Sequence, residues 1–84
     1  MRILLVDDHP IVRCGIRQIL VEGLAAVSVG EASDGAQAMA SLRSGDWDLV
    51  VLDVTLPGAS GLDVLKEIRR TSPNLPVLVL SMHP

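Results

Sequence analysis

Four short runs of apolar residues recur along the chain of 84 residues, and segments with a different spacing separate them. The runs occupy residues 3–6, 27–29, 49–52 and 77–80. Near-continuous Val, Ile and Leu are typical of parallel strands that are buried on both faces. The segments between the runs repeat apolar residues at steps of three and four, as an amphipathic helix does. This strict alternation predicts an α/β protein with a (βα)₃β parallel sheet.

Local signals place the three helices. Pro10 suits the first position of a helix, which we expect to end near Gly23. Asp34 is the expected N-cap of the second helix, Gly45 should end it, and the third helix should span about residues 61–70. The residues predicted to face inward are Val12, Ile16, Ile19 and Leu20 in the first helix, Ala36, Met39, Ala40 and Leu42 in the second, and Leu62, Leu65 and Ile68 in the third.

Charge and composition exclude several classes of protein. The formal net charge is −3, so we do not expect this chain by itself to grip nucleic acid or an anionic membrane surface. The single cysteine, Cys14, excludes an intramolecular disulfide and a cysteine-rich metal site. The apolar run at the N-terminus is too short for a signal peptide, and no run approaches the roughly 18 residues of a membrane helix. We therefore predict one domain in the cytoplasm, with no membrane partner.

Carboxylates stand at the ends of two predicted strands. Asp7 and Asp8 follow the first strand, Asp53 closes the third, and Ser81 follows the fourth. In open α/β sheets ligands bind beyond the carboxyl ends of the strands. If strands one and three are neighbours, three carboxylates converge on one spot, and like charges at one spot need a cation. Because carboxylate oxygens suit hard ions, the sequence predicts a Mg²⁺ site.

These residues also admit other interpretations. Asp7 and Asp8 could simply stabilise the start of the first helix, although that leaves Asp53 unexplained. A nucleotide-binding domain is disfavoured because the turn after the first strand carries no glycine loop to cradle phosphate. We interpret His9 as a boundary residue at the helix start rather than as a base or ligand, and Trp47 as a packing residue at the opposite end of the sheet.

Three segments together resemble a known family. "VDDHPIVRCGI", "VVLDVTLPGASGLDVLKEIR" and "LPVLVLSMHP" resemble the receiver domain of two-component response regulators, and the resemblance covers the whole chain. "DDHP" and "SMHP" further resemble the subfamily with a LuxR-type helix-turn-helix output domain. The resemblance implies a flavodoxin-like (CheY-like) α/β sheet with strand order 2-1-3-4. It also implies a transcriptional regulator that reaches DNA only through the output domain.

The resemblance assigns a role to each residue of the acidic edge. Asp53 corresponds to the phosphoacceptor, which takes a phosphoryl group from a phosphohistidine of a sensor kinase. Asp8 would bind Mg²⁺ directly, Asp7 would assist through water, and the backbone carbonyl of Thr55 matches a further ligand. Mg²⁺ is the implied cofactor.

Three further residues match the switching parts of the family. Ser81 matches the switch hydroxyl, and Pro57 and Gly61 match the turn that shapes the pocket and opens the third helix. Such a domain is a substrate and switch that assists its own phosphorylation, and it is not a turnover enzyme.

The resemblance also predicts that the 84 residues are a truncated receiver. The family's fourth helix, fifth strand with its lysine, fifth helix and output domain have no counterpart, and Lys66 is the only lysine. We therefore expect self-association. The alternative function is a phosphorylation-independent module for self-association or other interactions.

Overall fold

Seven elements alternate along the chain, as the sequence predicts. The structure is a computed structural model and describes residues 1–53 and 61–80. The strands are β1 (Arg2–Val6), β2 (Ser28–Ala32), β3 (Leu49–Asp53) and β4 (Val77–Leu80), and the helices are α1 (Pro10–Gly23), α2 (Gly35–Ser44) and α3 (Gly61–Thr71). The predicted strand at 27–29 differs from β2 at both ends, because Val27 lies outside β2 and β2 continues through a glycine and a glutamate that are not apolar. β2 lies at an edge of the sheet, where such residues are tolerated.

The sheet has the order β2-β1-β3-β4, and all three strand pairs are parallel. The predicted order is therefore confirmed. Val6 at the end of β1 pairs with Ala32 on one side and Leu52 on the other. The carboxyl ends of β1, β2 and β3 consequently lie level with one another, at one edge of the sheet.

Helices cover both faces of the two central strands. Leu4, Val6, Val50 and Leu52 point to the face that α2 and α3 cover, where Ala38, Val64 and Ile68 complete a buried cluster. Ile3, Leu5 and Val51 point to the other face, against Ile16 and Leu20 of α1. Because successive residues of a strand point to opposite faces, a strand buried on both sides must be apolar throughout, as β1 and β3 are.

The inward face of α2 contains two of the four predicted residues, Met39 and Leu42, but not the two predicted alanines. Ala38 is buried and Met39 and Leu42 are partly buried, whereas Ala36 and Ala40 are exposed. The buried row follows steps of three and four from the start of the helix. Alanine is common on either face of a helix, and so its positions did not reveal which row packs against the sheet.

Two predicted core residues of the other helices lie in solvent. Ile19 of α1 is 70% exposed, and Leu62 of α3 is also exposed. Val64 and Ile68 fill the core of α3 instead, together with the partly buried Leu65. In each helix the exposed residue lies beside the packed row, because neighbouring residues of a helix are turned by about 100°.

The signals at the helix starts are confirmed. Pro10 occupies the first turn of α1, with His9 as the N-cap residue. The side chain of Asp34 caps α2 by accepting a hydrogen bond from the backbone N–H of Gln37 at 2.8 Å. Within residues 1–53 and 61–80, no helix is long and apolar enough to cross a membrane.

Trp47 packs at the amino-terminal end of the sheet, as predicted. Its ring lies against Gly30 of β2, and its indole N–H donates to the carbonyl of Ser41 at 2.9 Å. The guanidinium of Arg2 stacks over the same ring, 4.5 Å from its centroid. These contacts hold the segment between α2 and β3 against β1 and β2.

Candidate functional site

The parallel register brings two buried carboxylates side by side. Asp53 is the last residue of β3, and Asp7 directly follows β1 and continues its ladder by donating its backbone N–H to Ala32 at 3.0 Å. Since Val6 and Leu52 are paired, the next residues, Asp7 and Asp53, lie level on neighbouring strands. Both side chains are completely buried. The predicted convergence of carboxylates at this edge is therefore observed.

Asp8 and His9 form the open side of the same cluster. The side chain of Asp8 is 26% exposed and that of His9 is 52% exposed. The His9 Nδ1 atom lies 3.0 Å from Asp8 Oδ1, 3.3 Å from Asp7 Oδ1 and 3.7 Å from Asp53 Oδ2. His9 does begin α1, but its ring also belongs to the site, which the interpretation as a boundary residue missed.

A backbone hydrogen bond explains why His9 turns inward. Its N–H donates to Asp7 Oδ1 at 2.7 Å, so the carboxylate folds over the residue two positions later in an Asx turn. The donor is a backbone N–H, which every residue except proline offers, so the identity of residue 9 gave no signal of this turn in the sequence.

The cluster concentrates negative charge in a buried place. One ligand atom from each of Asp7, Asp8, His9 and Asp53 lies within 4.8 Å of the others. Asp7 Oδ2 and Asp8 Oδ1 are buried and accept no hydrogen bond from the residues that the structure describes. A buried carboxylate oxygen without a donor is costly unless a cation compensates it. The donor set therefore fits a divalent metal ion, and its carboxylates fit Mg²⁺.

Arg13 of α1 fixes the main chain beneath the cluster. Its Nη1 donates to the carbonyl oxygen of Asp7 at 2.7 Å, and its Nε donates to Glu31 Oε1 of β2 at 3.0 Å. Arg17 also lies beside Glu31, with Nε 3.5 Å from Oε2. Sequence reasoning did not single out Arg13, because its partners are a backbone carbonyl and a residue 18 positions away.

The remaining predicted site residues divide into two groups. Gly61 is buried and begins α3, as predicted. Thr55, Pro57 and Ser81 lie outside the described residues.

The fold and the site define an α/β protein that has a flavodoxin-like parallel sheet and an acidic cluster at the carboxyl edge of that sheet. Comparison with known proteins identifies the family. The family described as "Response regulator receiver domain" matches residues 3–84. The chain is 43% identical over 83 residues to the transcriptional activator protein ExaE of Pseudomonas putida, covering 99% of this chain and 39% of that protein. The chain therefore belongs to the response regulator receiver domain family, and spans about two fifths of the length of this curated relative.

Solved structures of response regulators agree with this assignment. The response regulator TrrA of Thermotoga maritima, in complex with Mg²⁺-BeF, superposes with a TM-score of 0.91 at 36% identity, covering 98% of this chain and 70% of that one. TrrA in complex with the histidine kinase ThkA gives 0.89 at 36% identity, covering 99% and 70%.

A LuxR-family response regulator from Aurantimonas gives a TM-score of 0.87 at 40% identity, covering 99% of this chain and 59% of that one. The relatives thus include the LuxR type, as "DDHP" and "SMHP" suggested. The comparisons favour the receiver function over a phosphorylation-independent interaction module.

Proposed function

We propose that Asp53 is the phosphoacceptor of this receiver domain. The observation that carries the proposal is the burial of Asp53 at the end of β3, in one cluster with Asp7 and Asp8. In the proposed reaction a carboxylate oxygen of Asp53 attacks the phosphorus of a phosphohistidine. A phosphorus–oxygen bond forms, the phosphorus–nitrogen bond breaks, and the histidine nitrogen keeps the bonding electrons and takes up a proton. The product on this chain is an aspartyl phosphate.

The metal of this site is proposed to be Mg²⁺. Asp8 and Asp53 would bind it directly, Asp7 through a water molecule, and the backbone carbonyl of Thr55 would complete the protein ligands. When bound, Mg²⁺ offsets the negative charge that the phosphoryl group brings. The unsatisfied Asp7 Oδ2 and Asp8 Oδ1 atoms support a cation at this position.

Switching is proposed to follow phosphorylation. The Ser81 hydroxyl would turn toward the phosphoryl group and draw its loop inward, while Pro57 and Gly61 shape the turn beside the pocket. The domain would act as a substrate and switch that assists its own phosphorylation, without being a turnover enzyme.

A sensor histidine kinase in the cytoplasm is the proposed partner. The complex of TrrA with the kinase ThkA supports it, because TrrA shares this fold over nearly the whole chain. Contact with DNA is proposed only through an output domain joined to this receiver, as the name of the transcriptional activator ExaE suggests.

Binding of a phosphoryl mimic tests the proposal. Beryllofluoride with Mg²⁺ should bind the wild-type chain with one-to-one stoichiometry, as followed by calorimetry and by ¹⁹F NMR. The Asp53→Asn variant should not bind it, because the amide cannot form the bond to beryllium. Asp34→Asn is the matched control, since the same change is made in a helix cap outside the cluster. Equal binding by Asp53→Asn would contradict the role of Asp53.

The division of labour between the two adjacent aspartates can be tested by Mg²⁺ titration. Asp8→Ala should weaken Mg²⁺ binding more than Asp7→Ala does, because Asp8 lies at the accessible side of the cluster whereas Asp7 is completely buried. One oxygen of Asp7 already accepts the His9 N–H. Equal losses in the two variants would show that direct and water-mediated ligation are wrongly assigned.

Self-association is a further proposal. Within the described residues β4 is an edge strand, and its Leu78 and Val79 are 53% and 43% exposed. An edge strand offers unpaired N–H and C=O groups to a second chain. Light scattering at falling protein concentration should show a dimer that dissociates. A monomer at every concentration, with a sharp thermal transition, would contradict this proposal.

A further inference from the structure

We propose that His9 makes the acidic cluster a site for a borderline transition-metal ion such as Zn²⁺ or Co²⁺, bound by His9 Nδ1 together with the carboxylates of Asp7, Asp8 and Asp53. The ion would occupy the same place as Mg²⁺ and exclude it. The inference shares its carboxylates with the proposed function, but it concerns a different ion and a ligand that Mg²⁺ does not prefer.

The spacing of the donor atoms fits a single ion. Zn²⁺ binds nitrogen and oxygen ligands at about 2.0–2.2 Å, so adjacent ligands around it stand about 3.0 Å apart in octahedral and about 3.4 Å apart in tetrahedral geometry. The His9 Nδ1 atom lies 3.0 Å from Asp8 Oδ1 and 3.3 Å from Asp7 Oδ1, and the second contact is a hydrogen bond that an ion bound between the two atoms would replace. The distance to Asp53 Oδ2 is 3.7 Å, and a shift of a few tenths of an ångström closes it.

Unsatisfied oxygens point independently to a cation among these atoms. Asp7 is completely buried, and its Oδ2 accepts no hydrogen bond from the described residues. The approach of His9 Nδ1 to Asp8 Oδ1 is close, yet that oxygen also accepts no hydrogen bond in the described part of the chain. The His9 Nδ1 and Asp8 Oδ1 atoms are therefore in contact but are not aligned for a hydrogen bond, as two ligands of one metal ion would be.

The chemistry of imidazole decides which ions gain from His9. Imidazole suits Zn²⁺, Cu²⁺, Ni²⁺ and Fe²⁺, whereas Mg²⁺ takes oxygen ligands and keeps several waters. The histidine therefore strengthens binding of transition metals and leaves Mg²⁺ nearly unaffected. An ion held by all four side chains would exclude Mg²⁺, so it would compete with the proposed Mg²⁺-dependent phosphoryl transfer.

The variant His9→Ala isolates the nitrogen ligand. His9 is the N-cap residue of α1 but makes no side-chain cap hydrogen bond, so the helix start does not depend on its ring. Asp8→Ala serves as the comparison, because it removes an oxygen ligand that both kinds of ion would use.

Metal titrations provide the test. Co²⁺ binding is followed by its visible absorption, Zn²⁺ by competition with a chromophoric chelator, and Mg²⁺ by calorimetry. We expect His9→Ala to weaken Co²⁺ and Zn²⁺ binding by at least about 10-fold, because loss of a direct ligand costs no less than loss of a residue that only orients a ligand, and to change Mg²⁺ binding less than about threefold. Asp8→Ala should weaken binding of all three ions.

The outcomes separate this inference from the proposed function. Unchanged Co²⁺ and Zn²⁺ affinity in His9→Ala would overturn the inference and leave the Mg²⁺ site intact. Loss of Mg²⁺ in the same proportion would overturn it as well, because the ring would then support the cluster without selecting the ion. Binding of Co²⁺ through His9 in a chain that does not bind Mg²⁺ would support the inference and contradict the proposed function.

Discussion

Replacing Asp7 by asparagine should stabilise the metal-free protein while it weakens the metal site. Asp7→Asn keeps the size of the side chain. It also keeps an oxygen that can accept the hydrogen bond from the His9 N–H, which in the wild type lies 2.7 Å from Asp7 Oδ1. It also removes one of three negative charges from the cluster. The buried Oδ2 of Asp7 accepts no hydrogen bond from the described residues. The new amide N–H₂ can take its position and donate a hydrogen bond to a neighbouring carboxylate.

The size of the effect follows from the crowding of charge. The ligand atoms of the cluster lie within 4.8 Å of one another. At an effective dielectric constant of about 20, two full charges at that separation repel by about 3.5 kcal/mol. Because nearby water and His9 offset part of this repulsion, we expect the free energy of unfolding to rise by about 1–2 kcal/mol. A buried polar atom that gains a hydrogen bond contributes in the same direction.

Urea unfolding with and without Mg²⁺ measures both effects. Without metal, Asp7→Asn should unfold at higher urea than the wild type. With Mg²⁺, the wild type should gain more stability than the variant, since a ligand of the folded state stabilises in proportion to its affinity. Asp34→Asn is the control, because asparagine caps a helix as well as aspartate does, and it should change stability by less than about 0.5 kcal/mol. A metal-free Asp7→Asn protein less stable than the wild type would refute the reasoning.

Two further predictions concern the scaffold. In Gly30→Ala the added methyl group would overlap the ring of Trp47, so we expect a loss of about 1–3 kcal/mol in urea unfolding. In Gly15→Ala the added methyl group meets open space on α1, so the free energy of unfolding should rise by about 0.5–1 kcal/mol. A loss of stability in both variants would contradict the packing argument. A hydrogen bond from Arg70 lowers the pKa of Glu67. The pair therefore stabilises the folded state at a pH above the ordinary glutamate pKa. This stabilisation is lost as the pH falls through the lowered pKa of Glu67. Thermal unfolding should therefore show a small gap between wild type and Glu67→Gln that closes in acid, and a gap that widens there would contradict the assignment.

The order of elements and the acidic edge were predictable from the sequence because both depend on short-range patterns. A run of apolar residues that ends in aspartate fixes where a buried strand stops, and parallel pairing then brings Asp7 and Asp53 together. The end of β2 was less predictable, since an edge strand need not be apolar. The inward faces of α2 and α3 were only partly predictable, because Ala36, Ala40 and Leu62 resemble core residues while lying in solvent.

The parts of the site that the sequence did not predict depend on side-chain directions. His9 enters the cluster because its N–H bonds to Asp7 Oδ1 and turns the chain, and no periodicity reports such a turn. Arg13 reaches the Asp7 carbonyl from the next turn of α1, a contact that depends on its rotamer. The roles of Thr55, Pro57 and Ser81 stay predictions.

Mapping the phosphorylated residue tests the central proposal most directly. The protein is incubated with a small phosphodonor and Mg²⁺, and the modified peptide is identified by mass spectrometry. We predict a single, hydroxylamine-sensitive label on Asp53 that requires Mg²⁺ and is absent from Asp53→Asn. A stable label on Asp7, Asp8 or Ser81 that persists in Asp53→Asn would contradict the account.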